Sequence, residues 1–317
     1  MNFFSEFINA CENGDLKKAK ILLKNQSIGI FMGDIAFRLS CSNGHLEVAK
    51  WLIQIKPIKH KIDISSDDDY AFRHACLNGH LEVAKWLVET YQSAINISAV
   101  NDYAFRCACS NGHFEVAKWL IHTYQSAINI SAKNNQAFRH ACSNGHLEVA
   151  KWLIHTYQSA IDISAKNNKA FRDACRNGHL EVAKWLIHTY PSAIDVSACD
   201  NYAFKSACKY NHLKVAKWLV DICLSAVNVS ASDNFAFKYA CSNDRVEVAK
   251  WLVEIRPYHY MIELDQSLTQ ILNWRIRPIE ETKWLERAVP ILAYNSKTMN
   301  IFQTLNYDTV RYICEFV

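Results

Sequence analysis

The sequence predicts an all-α solenoid of stacked helix-turn-helix units joined by short finger loops, and three observations carry that prediction. Trp51, Trp86, Trp119, Trp152, Trp185, Trp218 and Trp251 recur at a spacing of 35 and then five times 33 residues, each within V-A-K-W-L. The apolar residues around each tryptophan fall at three-and-four spacing, the period of a helix with one buried face. Only 8 glycines and 5 prolines occur in 317 residues, too few to punctuate a β-fold or to make Gly-rich linkers. With 50% hydrophobic and 21% charged side chains, the chain has ample material for a core, which excludes disorder and small disulfide-clipped or metal-clipped folds.

The unit from Asn135 to Asn167 shows each element in turn. Asn134 and Asn135 precede Ala137, Phe138, Ala141 and Cys142, so an Asx side chain is expected to cap the amides of a two-turn helix A. Asn144-Gly145 follows, where Gly145 supplies the left-handed residue that ends a helix without a Cβ penalty. The two units without this glycine carry Asn211 and Asp244, side chains that tolerate the same conformation. Helix B presents Leu147, Ala150, Trp152, Leu153, Ile154 and Tyr157 as an apolar stripe, with Glu148 and Lys151 on the wet side. Ile161-Asp162-Ile163-Ser164 alternates apolar and polar residues and predicts a short extended finger. No single unit buries its own apolar face, so stability requires stacking.

These residues resemble the ankyrin repeat, whose family pattern is a 33-residue unit with a G-H turn, an LEVVKLLL-type second helix and a finger loop. The resemblance spans roughly Asp34 to Glu254. Where the family opens helix A with T-P-L-H, this chain reads A-F-R, with Arg38, Arg73, Arg106, Arg139, Arg172, Lys205 and Lys238 at the histidine position. The usual hydroxyl-histidine bonding is therefore absent. The spelling ACSNGHLEVAKWL with INISAKN is most similar to the ankyrin proteins of giant DNA viruses of amoebae, resembling those of mimivirus-like viruses.

Aligned to the unit, residues 1–33 read as an N-terminal capping repeat with Lys17, Lys18 and Lys20 on its wet side, and 34–263 as seven repeats. Residues 264–298, around Trp284, read as a degenerate eighth, and 299–317 as a separate tail. At ~8 to 10 Å per packed helix pair, this predicts one elongated stack roughly 80 to 90 Å long. In the tail, Leu305, Val310, Ile313 and Phe316 take amphipathic spacing. Leu305-Asn306-Tyr307-Asp308-Thr309-Val310 resembles the opening helix of an F-box, and Thr309-Val310 with Cys314 the start of a SOCS box. Either resemblance implies contact with a host cullin ubiquitin-ligase subunit. The F-box proline is missing, and a helix that caps the last repeat accounts for the same residues.

Packing accounts for most of the residues that suggest chemistry. Cys11, Cys41, Cys76, Cys109, Cys142, Cys175, Cys208 and Cys241 share one small slot in helix A. Neighbours about one repeat apart, roughly 10 Å, lie beyond the ~7 Å reach of a disulfide. Reduced thiols predict an intracellular protein, cytoplasmic or nuclear, in a host cell if the chain is viral. Cys76 and His80 recur as C-x3-H, but a repeat translates each pair away from the next, so no metal is expected. His45, His80, His113, His146, His179 and His212 are expected to bond backbone across units. No phosphate loop, nucleophile elbow or metalloprotease helix occurs, so no catalytic residue and no cofactor are predicted. A net charge of +4 falls short of what phosphate tracking needs, and nucleic acid is not the expected partner. Glu6 and Glu12 interrupt the opening segment, and no run reaches ~18 apolar residues, so neither a secretory signal nor a membrane span is predicted.

Recognition is expected where units differ, because packing forces sameness. Two positions flank the helix A phenylalanine: Tyr70, Tyr103, Gln136, Lys169, Tyr202 and Phe235 before it, and His74, Cys107, His140, Asp173, Ser206 and Tyr239 after it. The ankyrin resemblance implies that both lie on the concave finger and inner-helix face. The candidate protein-binding set is Tyr70, His74, Tyr103, His140, Lys169, Asp173, Arg176, Tyr202, Lys209, Phe235 and Tyr239, tyrosine burying area at low entropic cost. Lys166, Lys169, Arg176 and Lys209 make the fifth and sixth units the most basic part of that face. The function this predicts is a non-enzymatic, monomeric scaffold for a host or viral protein partner, with ligase adaptor as the alternative.

Overall fold

The computed structural model describes residues 3–24, 30–55, 62–222, 231–243 and 245–255. Residues 264–317, with the eighth unit and the tail residues Leu305, Val310, Ile313 and Phe316, lie outside them. The fold is an all-α solenoid in which consecutive helices pack as pairs, with no β-strand among the described residues. The chain divides into two compact units, Met1–Ala174 with Glu181–Ile194, and Cys175–Leu180 with Asp195–Val317. In the first, α1 (Phe3–Glu12) pairs with α2 (Leu16–Leu23), α3 (Ile30–Ser42) with α4 (Leu46–Gln54), α5 (Ser66–Leu77) with α6 (Leu81–Tyr91), α7 (Ala99–Ser110) with α8 (Phe114–Tyr124), and α9 (Ala132–Ser143) with α10 (Leu147–Tyr157). α11 (Ala165–Arg176) and α12 (Leu180–Thr189) contribute residues to both units. The second unit holds α13 (Ala198–Lys209) with α14 (Leu213–Ile222), and α15 (Ala231–Ser242) with α16 (Val246–Ile255). The first helices of successive pairs stack, α1 through α3, α5 and α7 to α9 in the first unit and α13 on α15 in the second.

The core follows from which residues recur. Phe72, Phe105 and Phe138 are each 1% exposed, flanked by fully buried alanine and cysteine. Each such phenylalanine contributes roughly 1.5 to 3 kcal/mol by leaving water. In α10 the buried residues are Val149, Ala150, Leu153 and Ile154. Val149 belongs to the stripe that the spacing argument drew without it. Trp152 is only half-buried and meets Tyr157 edge to face, with centroids 6.1 Å apart at 89°, an arrangement repeated at Trp119 with Tyr124 and Trp185 with Tyr190. Glu148 and Lys151 pair at 3.4 Å on the wet side.

The finger departs from an extended strand. Asp162 Oδ1 accepts from both the backbone N–H and the hydroxyl of Ser164, at 2.9 and 2.7 Å, an Asx turn. The next residues reverse hand: Lys133, Asn134 and Asn135 sit at φ of 54°, 57° and 57°. Asp67 to Asp69, Val100 to Asp102, Lys166 to Asn168 and Cys199 to Asn201 repeat this single left-handed turn. Asn134 and Asn135 therefore do not cap helix A in the expected way. They form the turn ahead of its right-handed part, and Asn135 reaches the next finger instead, its amide oxygen accepting from Asp162 N–H at 3.0 Å while its nitrogen donates to Ala160 C=O at 3.2 Å.

The arginine of A-F-R braces this turn. Arg139 is 5% exposed and donates from Nε to the Asn134 carbonyl at 2.7 Å and from Nη2 to the Lys133 carbonyl at 3.0 Å. Arg106 holds Asn101 and Val100 at 2.6 and 3.0 Å, Arg172 holds Asn167 and Lys166 at 2.7 and 2.9 Å, and Arg73 bonds the carbonyls of Asp68 and Asp67. A left-handed non-glycine residue costs about 1 to 2 kcal/mol, less for Asn and Asp, whereas a hydrogen bond from a charged group returns about 1.5 to 3. The fork is thus of the size the turn requires.

The second turn ties repeats together. Gly44 has φ +81°, and a Cβ there would stand 2.5 Å from Nδ1 of His80, so both backbone angle and ring contact demand glycine. His80 bonds the Ser42 carbonyl, and Asn78 donates to the same carbonyl at 2.7 Å. His113 with Asn111 on Leu77, and His146 with Asn144 on Ser110, repeat the arrangement. Asn211 takes φ 66° where glycine is missing, while Asp244 lies outside the described residues. Cys41, Cys76, Cys109 and Cys142 are buried thiols pushed far up by desolvation, and Cys11 is pushed up to about 12.

Two outcomes follow. Arg139→Met should keep the side-chain volume but release the turn, lowering the free energy of unfolding in urea by about 2 kcal/mol. At Asp102, Oδ1 is buried without a hydrogen-bond partner while the carboxylate accepts from Asn129 N–H, and burial raises its pKa above the ordinary 3.8. In the register of Asn135, an amide there would donate to the Ala127 carbonyl. A raised folded pKa means stability is lost as pH rises through it, so Asp102→Asn should stabilise by about 1 kcal/mol at pH near 7. In paired urea titrations that gain should shrink as pH falls toward 3.8.

Candidate functional site

The variable side chains of the first unit assemble into one stacked row on α5 and α7. Tyr70 and His74, four residues apart on α5, stack with centroids 3.6 Å apart and planes 10° apart. His74 then meets Tyr103 of α7 at 6.0 Å. The Arg38 guanidinium lies 5.3 Å from the Tyr70 centroid, and those of Arg73 and Arg106 lie 5.0 and 5.8 Å from Tyr103. The arginines that brace the fingers therefore also edge this row. Arg38 also pairs with Asp67 at 3.1 Å, and Arg106 donates to Gln136 Oε1 at 2.6 Å. Tyr103 hydrogen-bonds Cys107, and burial leads the causes that raise both pKa values.

The electrostatics of the row are close to neutral. His74 Nδ1 lies 3.1 Å from the Tyr70 carbonyl, which only accepts, so Nδ1 carries the proton. Burial pushes the His74 pKa below 6.5, and Arg73 adds to that. His140 on α9 is lowered by burial first and Arg139 second, with Asp173 opposing. Lys169 and Asp173, expected as separate contact points, pair with each other at 2.8 Å across one turn of α11. Lys166 is exposed and lends its carbonyl to Arg172. Of the four basic residues, Lys169 is paired and belongs with Lys166 to the first unit, and Arg176 and Lys209 belong to the second.

In the second unit Arg176 Nη1 donates to the Tyr202 hydroxyl at 3.4 Å and Nη2 to the Tyr210 hydroxyl at 3.1 Å. Lys209 Nζ lies 4.4 Å from the Tyr239 centroid and 5.4 Å from that of Tyr210. Phe235 and Tyr239 stack at 5.4 Å, with Lys205 Nζ 5.7 Å from the Phe235 ring. Tyr210 is the residue the sequence reasoning missed. It occupies the asparagine place of the N-G-H turn, and that break in the repeat is the signal that marks it. Among the described residues no group of three or more His, Cys, Asp or Glu converges as metal ligands, and no helix is long and apolar enough to cross a membrane.

A family model described as Ankyrin repeats (3 copies) matches residues 7–101, 72–167, 105–200 and 171–262. No curated protein matches the chain. The likeness to giant-virus proteins thus rests on the spelling of the repeat alone. For His74, an NMR titration should find the Nδ1–H tautomer at neutral pH and a midpoint below 6.5.

Proposed function

We propose that this chain, which belongs to the ankyrin repeat family, is a scaffold that grips one protein partner through the finger and first-helix face. Ankyrin repeats are protein-interaction modules, and no step of this reading requires chemistry on the partner. The observation that carries it is the contrast within each first helix. Phe72, Phe105 and Phe204 are 1% exposed and invariant, whereas Tyr70, Tyr103 and Tyr202, two residues earlier, are half-exposed and vary from unit to unit. Half-exposed tyrosines held by stacking and by guanidinium groups lose little entropy when a partner covers them. His74, Phe235 and Tyr239 extend the aromatic surface within their own units, and the salt-bridged Lys169 and Asp173 offer the partner a polar edge.

The partner is a host or viral protein if the origin suggested by the repeat spelling holds. The ligase-adaptor reading rests on the spacing of Leu305, Val310, Ile313 and Phe316 alone, and the scaffold reading does not depend on it. Tagged full-length chain should capture a defined protein by affinity purification. Replacing Tyr70, Tyr103 and Tyr202 together by alanine should abolish that capture while shifting the melting temperature by only a few degrees. A captured protein that binds the triple variant as tightly as the native chain places recognition elsewhere.

A further inference from the structure

The second unit departs from the repeat at one of its N-G-H turns. Asn78, Asn111 and Asn144 each donate across repeats to the carbonyl of the residue just before the preceding turn, at 2.7, 2.9 and 2.8 Å. Two turns after Asn144, Tyr210 stands in the asparagine's place and has no amide to give. Arg176 stands where Ser42 and Ser110 stand in other repeats. His212 still bonds the Arg176 carbonyl, so this turn keeps one of the two bonds seen at Ser42, Leu77 and Ser110. The bond that crosses this interface runs instead from Arg176 Nη2 to the Tyr210 hydroxyl, at 3.1 Å.

What replaces it is a concentration of positive charge. The Tyr239 hydroxyl holds the Lys209 ammonium above the ordinary lysine range, and Arg176 lies close enough to oppose it. Among the described residues, neither takes part in a salt bridge, whereas nearby Lys205 pairs with Asp200 at 2.8 Å. Two like charges are thus held together by tyrosine rings and hydroxyls, not by carboxylates. Two of the five guanidinium N–H groups of Arg176 go to hydroxyls, leaving others to donate. The Tyr210 oxygen accepts from Arg176, so its own hydrogen is directed to another acceptor, and the side chain is 39% exposed. The rings beside the cations hold them in place for a charge-assisted bond.

We infer that Arg176, Lys209 and Tyr210 form the oxyanion-reading point of the partner-binding face, taking the carboxylate or phosphate of an acidic peptide segment. The inference rests on the scaffold reading and adds the partner's chemistry. A peptide is favoured over nucleic acid because phosphate tracking needs several unpaired cations, and the guanidinium groups of Arg73, Arg106, Arg139 and Arg172 are committed to carbonyls.

The test uses the full chain in fluorescence polarisation against a short labelled Glu-rich peptide, its Gln counterpart, a phosphotyrosine peptide and a single-stranded oligonucleotide. The acidic or the phosphorylated peptide should bind about tenfold more tightly than the Gln peptide, and whichever is tighter identifies the oxyanion. Arg176→Gln and Lys209→Gln should each remove most of that preference, Tyr210→Phe a smaller part, and Lys184→Gln on a second-helix surface none. Melting curves of the variants establish that the fold is kept. Equal binding of the Gln peptide, unchanged preference in both cation variants, or tighter binding of the oligonucleotide would overturn the inference. If the captured partner still requires Tyr70, Tyr103 and Tyr202 but binds the Arg176 and Lys209 variants normally, the scaffold reading stands and the oxyanion point falls.

Discussion

The guanidinium fork on a left-handed turn is the interaction on which the rest of this structure depends. Each finger in the regular repeats must reverse direction before its first helix, and the chain does so with three successive residues of positive φ. L-residues resist that conformation, and the sequences that adopt it here, such as Asp67-Asp68-Asp69 and Lys133-Asn134-Asn135, are rich in the side chains that resist it least. Two carbonyls of the turn then point at the arginine of A-F-R, whose planar fork matches them. Lysine does not substitute as such. Lys205, at the same place, goes to the Asp200 carboxylate at 2.8 Å. A point charge seeks an anion, whereas the fork serves two neutral acceptors at fixed spacing. Arg38 marks the other limit: α3 begins without a left-handed turn, and its arginine pairs with Asp67 of the following finger.

The same fork decides what the basic ladder is for. A row of arginines at helix starts reads equally well as an anion-binding stripe until their partners are known. Once Arg106 and Arg139 are 7% and 5% exposed and each holds two carbonyls of its turn, their charge is structural. The arginine faces that remain serve Tyr70 and Tyr103, so one set of side chains braces the fingers and stiffens the aromatic row. Rigid aromatic rings are what an interaction surface needs, because little freedom is left to lose on binding.

Features that repeat were legible in the sequence because a period of 33 residues averages away local ambiguity. The tryptophan spacing placed every second helix from α4 to α16, and the N-G-H turn placed the positive-φ glycines and Asn211. The hand of the finger was not legible. Asn134-Asn135 before an apolar run reads as a helix cap, and only three-dimensional register shows Asn135 reaching the next finger instead. Pairings were also hidden. Lys169 and Asp173 stood as independent contact points until their side chains met at 2.8 Å, and Tyr210 sits at a turn position whose asparagine the repeat otherwise keeps, beside Asn211. Val149 was passed over for a similar reason: a stripe drawn through the tryptophan leans toward the half-exposed ring and away from the residue that is 2% exposed.

In a repeat protein, the useful contrast is between positions that every unit shares and positions where a unit forgoes a favourable bond. Neutral drift alters exposed residues that make no contact between repeats, and it leaves bonds such as Asn144 to Ser110 alone because losing one costs about 0.5 to 1.5 kcal/mol. Tyr210 is a departure of the second kind. Its hydroxyl anchors Arg176 at 3.1 Å beside Lys209, a geometry that raises local charge without a carboxylate partner among the described residues. The unit exchanges an asparagine's bond to a carbonyl for a tyrosine hydroxyl that accepts from Arg176, and it brings two cations together beside tyrosines that favour their charged forms. An oxyanion seated between the two cations supplies the counter-charge that the described residues do not.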